Sequence, residues 1–307
     1  MLPDPAAGKT GPISFQGSLG AYSDLACREM FPDRVTLPCN TFEDALAAVR
    51  EGEADLAMIP IENSVAGRVA DVHHLLPRSG LHIIGEYYAP VHHHLLAVPG
   101  AGFETLKTVR SHVHALSQCR KAIKRHGLQP VVAADTAGSA KEVARLGDQS
   151  VAAIASALAG RLYGLVSLEA DIEDAAHNTT RFVVMSPSPV VPARRTSDVT
   201  VTTFLFRVRN VPAALYKALG GFATNGINMT KLESYMVGGN FTATEFYADV
   251  EAHPDDRSFQ LALEELGFFT DELKILGSYP AHPFRLSSRF GSQVSASLAS
   301  AGLASAT

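Results

Sequence analysis

The sequence predicts an α/β protein in two parts. A two-lobed α/β body spans residues 12–187, and a βαββαβ unit spans 198–282, joined by a linker at 188–197. Three observations predict this. Short apolar strands alternate with helix-patterned runs from Pro12 to Ser156, the rhythm of a mostly parallel sheet with covering helices. Two long extended segments, Leu81–Val98 and Ile172–Ser186, suit strands that cross between two lobes and return. The prolines Pro187, Pro189 and Pro192 then punctuate the chain, and the order of elements changes beyond them.

Taken in order, Ile13–Phe15 reads as a strand, and Gln16–Ser23 as a turn into a helix ending near Met30. Val35–Leu37 leads to Thr41, a good helix cap, and to the amphipathic run Phe42–Val49. Leu56–Ile61 ends in Glu62-Asn63-Ser64. Val109–Arg110 ends in Ser111-His112 before a helix from about His114. Val131–Ala134 ends in Asp135-Thr136, and Val151–Ala155 in Ser156. The crossings place lobe one at about 12–86 and 170–187, and lobe two at about 87–169. After the linker come a strand at Val199–Val208, a helix at Pro212–Asn225, two strands at Ile227–Met236 and Phe241–Val250 around the hairpin signal Gly238-Gly239-Asn240, a helix at Asp256–Leu266 and a strand at Leu273–Tyr279. This is the ferredoxin-like order. Residues 1–11 are expected to form a flexible N-terminus, and the Ser/Ala-rich tail at 286–307 is expected to be disordered.

Composition excludes several classes. With 26 basic and 31 acidic residues, the net charge is −5, which argues against nucleic acid as a partner. No apolar run approaches the ~18–20 residues of a membrane helix, and no signal peptide is visible. The odd set Cys27, Cys39 and Cys119 forms neither a disulfide framework nor a zinc pattern, so a cytoplasmic location is expected. Gly8-Lys9-Thr10 lacks the rest of a phosphate-binding loop, and no strand-linked GxGxxG is present. No cofactor is expected. His92-His93-His94 invites a metal reading, but alternation along a strand separates neighbours, and no acidic partner sits nearby in sequence. A structural or substrate-adjacent role is expected there, and no metal.

The informative feature is the set of small polar residues at the strand-to-helix turns: Ser18, Ser23, Asn63, Ser64, Ser111, Thr136, Ser139 and Ser156. Each alone reads as a helix cap. Together they line one crevice at the carboxyl ends of the strands. Helix N-termini there offer free N–H groups to anions. Asn178-Thr179-Thr180-Arg181-Phe182 adds a hydroxyl and a guanidinium on the returning strand. Such a crevice suits a small polyanionic organic acid.

These segments, in this order, resemble prephenate dehydratase with a C-terminal ACT regulatory domain. The resemblance rests on Phe15–Ser23, Pro60–Val65, Ser111-His112 with Gln118-Cys119, Asp135–Ala140, Ala153–Ser156 and Asn178–Phe182. It implies a catalytic domain shaped like a type II periplasmic binding protein, a homodimer or homotetramer, prephenate as substrate and phenylalanine as allosteric effector. Arogenate dehydratase is the alternative, and a non-enzymatic small-acid sensor a more distant one. The resemblance implies that Thr180 assists departure of the substrate hydroxyl, with Arg181 and Phe182 beside it, Arg181 as a carboxylate clamp. Asn63, Ser64, Ser111, Gln118, Thr136 and Ser156 would supply further donors. Glu62 is open between substrate binding and structural support.

In the C-terminal unit, the resemblance implies an effector site at Asn210, Val211, Pro212, Ala214 and Leu215, with Asn228, Leu232, Glu233 and Ser234. Pro212 would sit in the first helical turn. Two segments depart from the family pattern: Ala213-Ala214-Leu215 stands for the usual Gly-Ala-Leu, and Glu233-Ser234-Tyr235-Met236 for Glu-Ser-Arg-Pro.

Overall fold

The structure is a computed structural model and describes residues 10–194, 198–209, 211–236 and 243–285. The N-terminal expectation at 1–9, the hairpin at 238–240, Asn210 and the tail at 286–307 lie outside the described residues.

The chain forms two compact units. The first comprises His82 and all before it, with Ala89–Ser188; the second comprises Ile83–Tyr88 and the chain from Pro189.

The first unit begins with β1 (Ile13–Gln16), α1 (Tyr22–Met30), β2 (Thr36–Cys39) and α2 (Phe42–Arg50). Next come β3 (Leu56–Asn63), the short β4 (Gly67–Arg68), α3 (Ala70–Leu75) and β5 (His82–Pro90), of which Ile83–Tyr88 is counted with the second unit. Lobe two follows: β6 (His94–Ala97), β7 (Thr108–Ser111), α4 (Val113–Gln118), α5 (Arg120–Arg125), β8 (Gln129–Val132), α6 (Thr136–Leu146), β9 (Val151–Ala155), α7 (Ala157–Tyr163) and β10 (Val166–Glu169). Finally β11 (Thr179–Ser186) returns to the first sheet. That sheet has the order β2-β1-β3-β11-β5, with β4 paired to β3; the second has the order β10-β6-β9-β7-β8.

Local chemistry explains the helix starts. Thr41 caps α2 through a full capping box with Asp44. Asp135 caps α6 by accepting from Gly138 N–H, and Ser156 caps α7 by accepting from Ala159 N–H. The cap before Thr136 is therefore Asp135, not Thr136 itself.

Two expectations need correction. Leu81–Val98 is not one strand: β5 stays in the first sheet to Pro90, and Val91–His93 bridges to β6 in the second. The crossing thus lies at 91–93 rather than at 87, and the return at 170–178 is irregular until β11. The sheets are also less parallel than the βα rhythm suggests. β1–β2, β1–β3, β7–β8 and β7–β9 are parallel, but the crossing strands run the other way, β11 against β3 and β6 against both β9 and β10. A strand that enters a lobe from its neighbour arrives opposite to the βα units already there.

The two lobes meet closely at Gly20. Its φ is 88°, and an added Cβ would lie 2.8 Å from Ala159 Cα, so both conformation and space require glycine. Ser156 donates to Gly20 O at 2.6 Å, and Tyr163 donates to Leu19 O at 2.7 Å.

The second unit contains β12 (Thr200–Val208), α8 (Ala214–Thr224), β13 (Met229–Met236), β14 (Ala243–Glu251), α9 (Arg257–Gly267) and β15 (Thr270–Pro280), in the sheet order β13-β14-β12-β15. The element order is βαββαβ. Phe204, Phe206, Phe222, Phe246, Phe259 and Leu266 fill its core. Within this unit Glu86 accepts from Arg285 and from His282 N–H. α8 starts later than expected: its cap is Ala213 at φ 62° and ψ 15°, so Pro212 precedes the helix. No described helix is long and apolar enough to cross a membrane.

Candidate active site

A cleft of about 770 Å³ lies in the first unit, within the ~300–1,000 Å³ usual for small-molecule sites. Five helix caps line it: Ala21, Thr41, Val69, His112 and Asp135. The first turns of these helices therefore border one space, and their free N–H groups favour an anion there. Arg68 also lines the cleft, and so do the carboxylate residues Glu43, Asp71 and Asp135.

Of the expected site residues, Asn63, Gln118, Thr136 and Thr180 line the cleft. Thr180 and Asn63 are directly opposed across β11 and β3, and so are Arg181 and Glu62. Successive strand residues point to opposite faces, so the Asn63–Thr180 pair and the Glu62–Arg181 pair cannot share a face. Thr180 takes the cleft side. Arg181 is 2% exposed and donates through Nη1 to Glu62 Oε1 at 2.8 Å. It does not line the cleft, so the clamp role expected for it is corrected to a buried ion pair, and Glu62 serves as its structural partner. Phe182 is fully packed in the core at 1% exposure.

Three expected donors are engaged elsewhere. Ser111 Oγ is buried and donates to Ile154 O at 2.6 Å, tying β7 to β9. Ser156 is consumed by the cap of α7 and by Gly20 O. Ser64 donates to His177 O and accepts from Thr179 N–H, fastening β3 to the start of β11. None of the three lines the cleft.

The cleft wall carries a continuous hydrogen-bond chain. Asn63 Oδ1 accepts from Val65 N–H (3.0 Å) and Ala66 N–H (2.8 Å). Its amide therefore faces the other way and donates to Thr180 Oγ1 (3.0 Å) and Asn178 Oδ1 (2.8 Å). Asn178 Nδ2 in turn donates to Gln118 Oε1 at 3.0 Å, and His93 Nε2 lies 3.0 Å from the same oxygen. His93 Nδ1 lies 2.7 Å from the Tyr22 hydroxyl. Burial holds His93 below its ordinary pKa of 6.5, so the imidazole is neutral at pH 7. Burial, with Cys119 and Glu173 nearby, pushes the Tyr22 phenol well above its usual value, so it keeps its proton.

Tyr22, Arg68, His93 and Asn178 were not picked out as site residues. Asn178 sits in the quoted segment before Thr180, and the histidine run drew notice. Tyr22 lies in the segment Phe15–Ser23 that carries the resemblance, whereas Arg68 carries no local signal and reaches the cleft through the topology alone.

Among the described residues, one group of side chains is placed so that it could hold a cation. His92, Asp171 and Glu173 place one ligand atom each within 4.8 Å of one another. The acidic partners that His92 lacks in sequence thus come from the return segment, where Glu173 Oε1 lies 3.0 Å from His92 Nδ1. His92 and Asp171 are exposed.

A family model described as prephenate dehydratase matches residues 13–189. The chain belongs to the prephenate dehydratase family. A protein of Komagataeibacter europaeus named bifunctional N-acyl-homoserine lactone acylase/prephenate dehydratase is 52% identical over 273 residues, covering 89% of this chain and 97% of that protein. A protein of Arabidopsis thaliana named arogenate dehydratase/prephenate dehydratase 1, chloroplastic, is 40% identical over 282 residues, covering 87% of this chain and 71% of that protein. The crystal structure of prephenate dehydratase from Arthrobacter aurescens in complex with L-Phe superposes with a TM-score of 0.79 at 30% identity, covering 92% of this chain and 99% of that one. Both units thus fall within the stretch shared with prephenate dehydratase relatives.

In the second unit, Val211 and Pro212 are exposed, Ala214 is buried and Leu215 packs against the core. Asn228 donates to Glu251 Oε2 at 2.7 Å, and Lys231 Nζ lies 3.4 Å from Glu233 Oε1. Leu232 and Ser234 are exposed on β13. Among the expected effector residues, Asn210 lies outside the described residues.

Proposed function

We propose that this chain converts prephenate to phenylpyruvate, a hydro-lyase reaction with decarboxylation. Prephenate dianion and one proton give phenylpyruvate anion, carbon dioxide and water. The C1 carboxylate leaves as CO2, its bonding electrons enter the ring, and the C4 hydroxyl departs as water as the ring becomes aromatic. The observation that carries this reading is Thr180. Its Oγ1 accepts from Asn63 on the cleft side of β11, and its own hydrogen has no protein acceptor among the described residues. That hydrogen is free for the leaving hydroxyl.

An alcohol is far too weak an acid to release its proton outright at pH 7. Thr180 acts as a placed hydrogen-bond donor that stabilises the charge developing on the departing oxygen. The substrate carboxylates fall among the helix N-termini, with Arg68 as the cationic residue of the wall and Gln118 and Thr136 as neutral donors. The lobes, arranged as in a type II periplasmic binding protein, close on the dianion and exclude water. The βαββαβ unit is an ACT domain that binds phenylalanine at an interface between subunits of a cytoplasmic homodimer or homotetramer. The Arthrobacter relative solved with L-Phe supports that reading.

Arogenate is the second reading. Glu43, Asp71 and Asp135 line the cleft, and a carboxylate there could pair with the ammonium that arogenate carries in place of the keto group. Turnover of prephenate and arogenate, followed side by side by absorbance, decides between them. Faster kcat/KM on prephenate is expected, and turnover of neither would overturn the proposal. The Komagataeibacter relative is named for a second activity, so release of fatty acid from N-acyl-homoserine lactones belongs in the same assay series.

A further inference from the structure

We propose that Tyr22 and His93 are positioning residues for Gln118, which together hold its carboxamide with the NH2 group toward the cleft. The inference rests on the reading of the cleft as the seat of a dianion.

A carboxamide is nearly symmetric in shape, so only its partners decide which end faces the substrate. Here the decision starts at backbone groups that cannot flip. Val65 and Ala66 N–H fix Asn63 Oδ1, which fixes Asn178 Oδ1 as an acceptor from Asn63 and Asn178 Nδ2 as the donor to Gln118. Gln118 Oε1 is therefore the buried end. His93 Nε2 faces that same oxygen at 3.0 Å, so it must carry a hydrogen. A neutral His93 then has its lone pair on Nδ1, and the Tyr22 hydroxyl, 2.7 Å away, must donate to it.

Gln118 Oε1 thus takes two donors, its amide nitrogen has no protein partner among the described residues, and Gln118 lines the cleft. That nitrogen offers a donor to an anion. The opposite tautomer of His93 would set an imidazole lone pair against Gln118 Oε1 and favour turning the amide over. A carbonyl oxygen would then face the substrate carboxylate, which is repulsive. Tyr22 excludes this, because it supplies the hydrogen that Nδ1 needs. The Tyr22 hydroxyl also lies 2.9 Å from His92 O, but its single hydrogen goes to the closer Nδ1 while the ring is neutral.

Two measurements on the full chain test the proposal. The first is 15N NMR of histidine-labelled, substrate-free protein at neutral pH, with the His93 signals assigned by their loss in His93→Gln. A protonated Nε2 and an unprotonated, hydrogen-bonded Nδ1 are expected; a protonated Nδ1 would overturn the proposal. The second is a kinetic cycle on prephenate. Tyr22→Phe keeps the ring and should lower kcat/KM about tenfold, the scale of one hydrogen bond. In a Gln118→Met background the same change should cost less than about twofold, because residues that act through one another are not additive. Equal losses in both backgrounds would overturn the proposal and place Tyr22 directly on the substrate. Absence of prephenate turnover in the unmutated protein would instead sink the functional reading, and the tautomer would still decide the positioning claim.

Discussion

Asn63 donates its amide to Thr180 Oγ1 across 3.0 Å, while backbone N–H groups of Val65 and Ala66 occupy its carbonyl. The amide therefore cannot turn, and Thr180 can only accept from it. The threonine hydrogen is left pointing away from the wall, which makes an ordinary alcohol a directed donor.

Reversing that polarity tests the relationship. Asn63→Asp is nearly isosteric and still accepts from Val65 and Ala66, but it sets carboxylate oxygens against Thr180 Oγ1 and Asn178 Oδ1. Thr180 should then donate to residue 63 instead of the substrate. We expect kcat on prephenate to fall by about 10²–10³, the usual cost of losing one preorganised donor, with the circular-dichroism spectrum unchanged. A loss below about fivefold would show that Asn63 does not set the direction of Thr180.

The Glu62–Arg181 pair predicts a stability effect. Arg181 is buried and Glu62 partly so. Removing one partner of a buried pair costs about 3–5 kcal/mol; because Glu62 is about a third exposed, Glu62→Ala should lie near the low end. Denaturant unfolding should report a loss of about 3 kcal/mol. An unchanged midpoint, with KM for prephenate raised instead, would return Arg181 to the substrate.

Ala213 predicts a gain. Its φ of 62° is a conformation that costs a non-glycine residue about 1–2 kcal/mol, against about 0.5–1 kcal/mol for the greater chain entropy of glycine. Ala213→Gly should raise the unfolding free energy by up to about 1.5 kcal/mol. A fall in stability would mean that the Ala213 methyl makes contacts outweighing the strain.

Histidine burial predicts an acid limit. His93, His94, His112 and His282 are all held below the ordinary value of 6.5, mainly by desolvation. Above pH 6.5 both folded and unfolded chains leave these groups neutral, and the full stability is present. As pH falls through that value toward the depressed folded pKa values, the unfolded chain binds protons first and stability is lost. The thermal midpoint should therefore decline below pH 6.5, and His93→Gln should flatten part of the decline. A midpoint that rises on acidification over that window would contradict the assignment.

Much of this was legible in the sequence because it is local. Thr41 and its run of apolar positions, the βα rhythm and the βαββαβ order each need only neighbouring residues. The turn hydroxyls were less legible because their partners are remote. Ser111 binds Ile154 O and Ser156 binds Gly20 O, and nothing near either serine reveals it. The role expected for Arg181 could have been narrowed, since a strand that turns Thr180 to the cleft turns Arg181 away. The chain from Asn63 to Tyr22 was beyond reach, because it joins side chains from both lobes and both crossings.

The account stands most directly on one measurement: the rate of phenylpyruvate formation from prephenate by the unmutated protein, Thr180→Ser and Thr180→Ala. The unmutated protein should turn over, Thr180→Ser should retain part of the rate, and Thr180→Ala should lose about 10²–10³ in kcat with the fold intact. Turnover by Thr180→Ala within a few-fold of the unmutated protein would contradict the account.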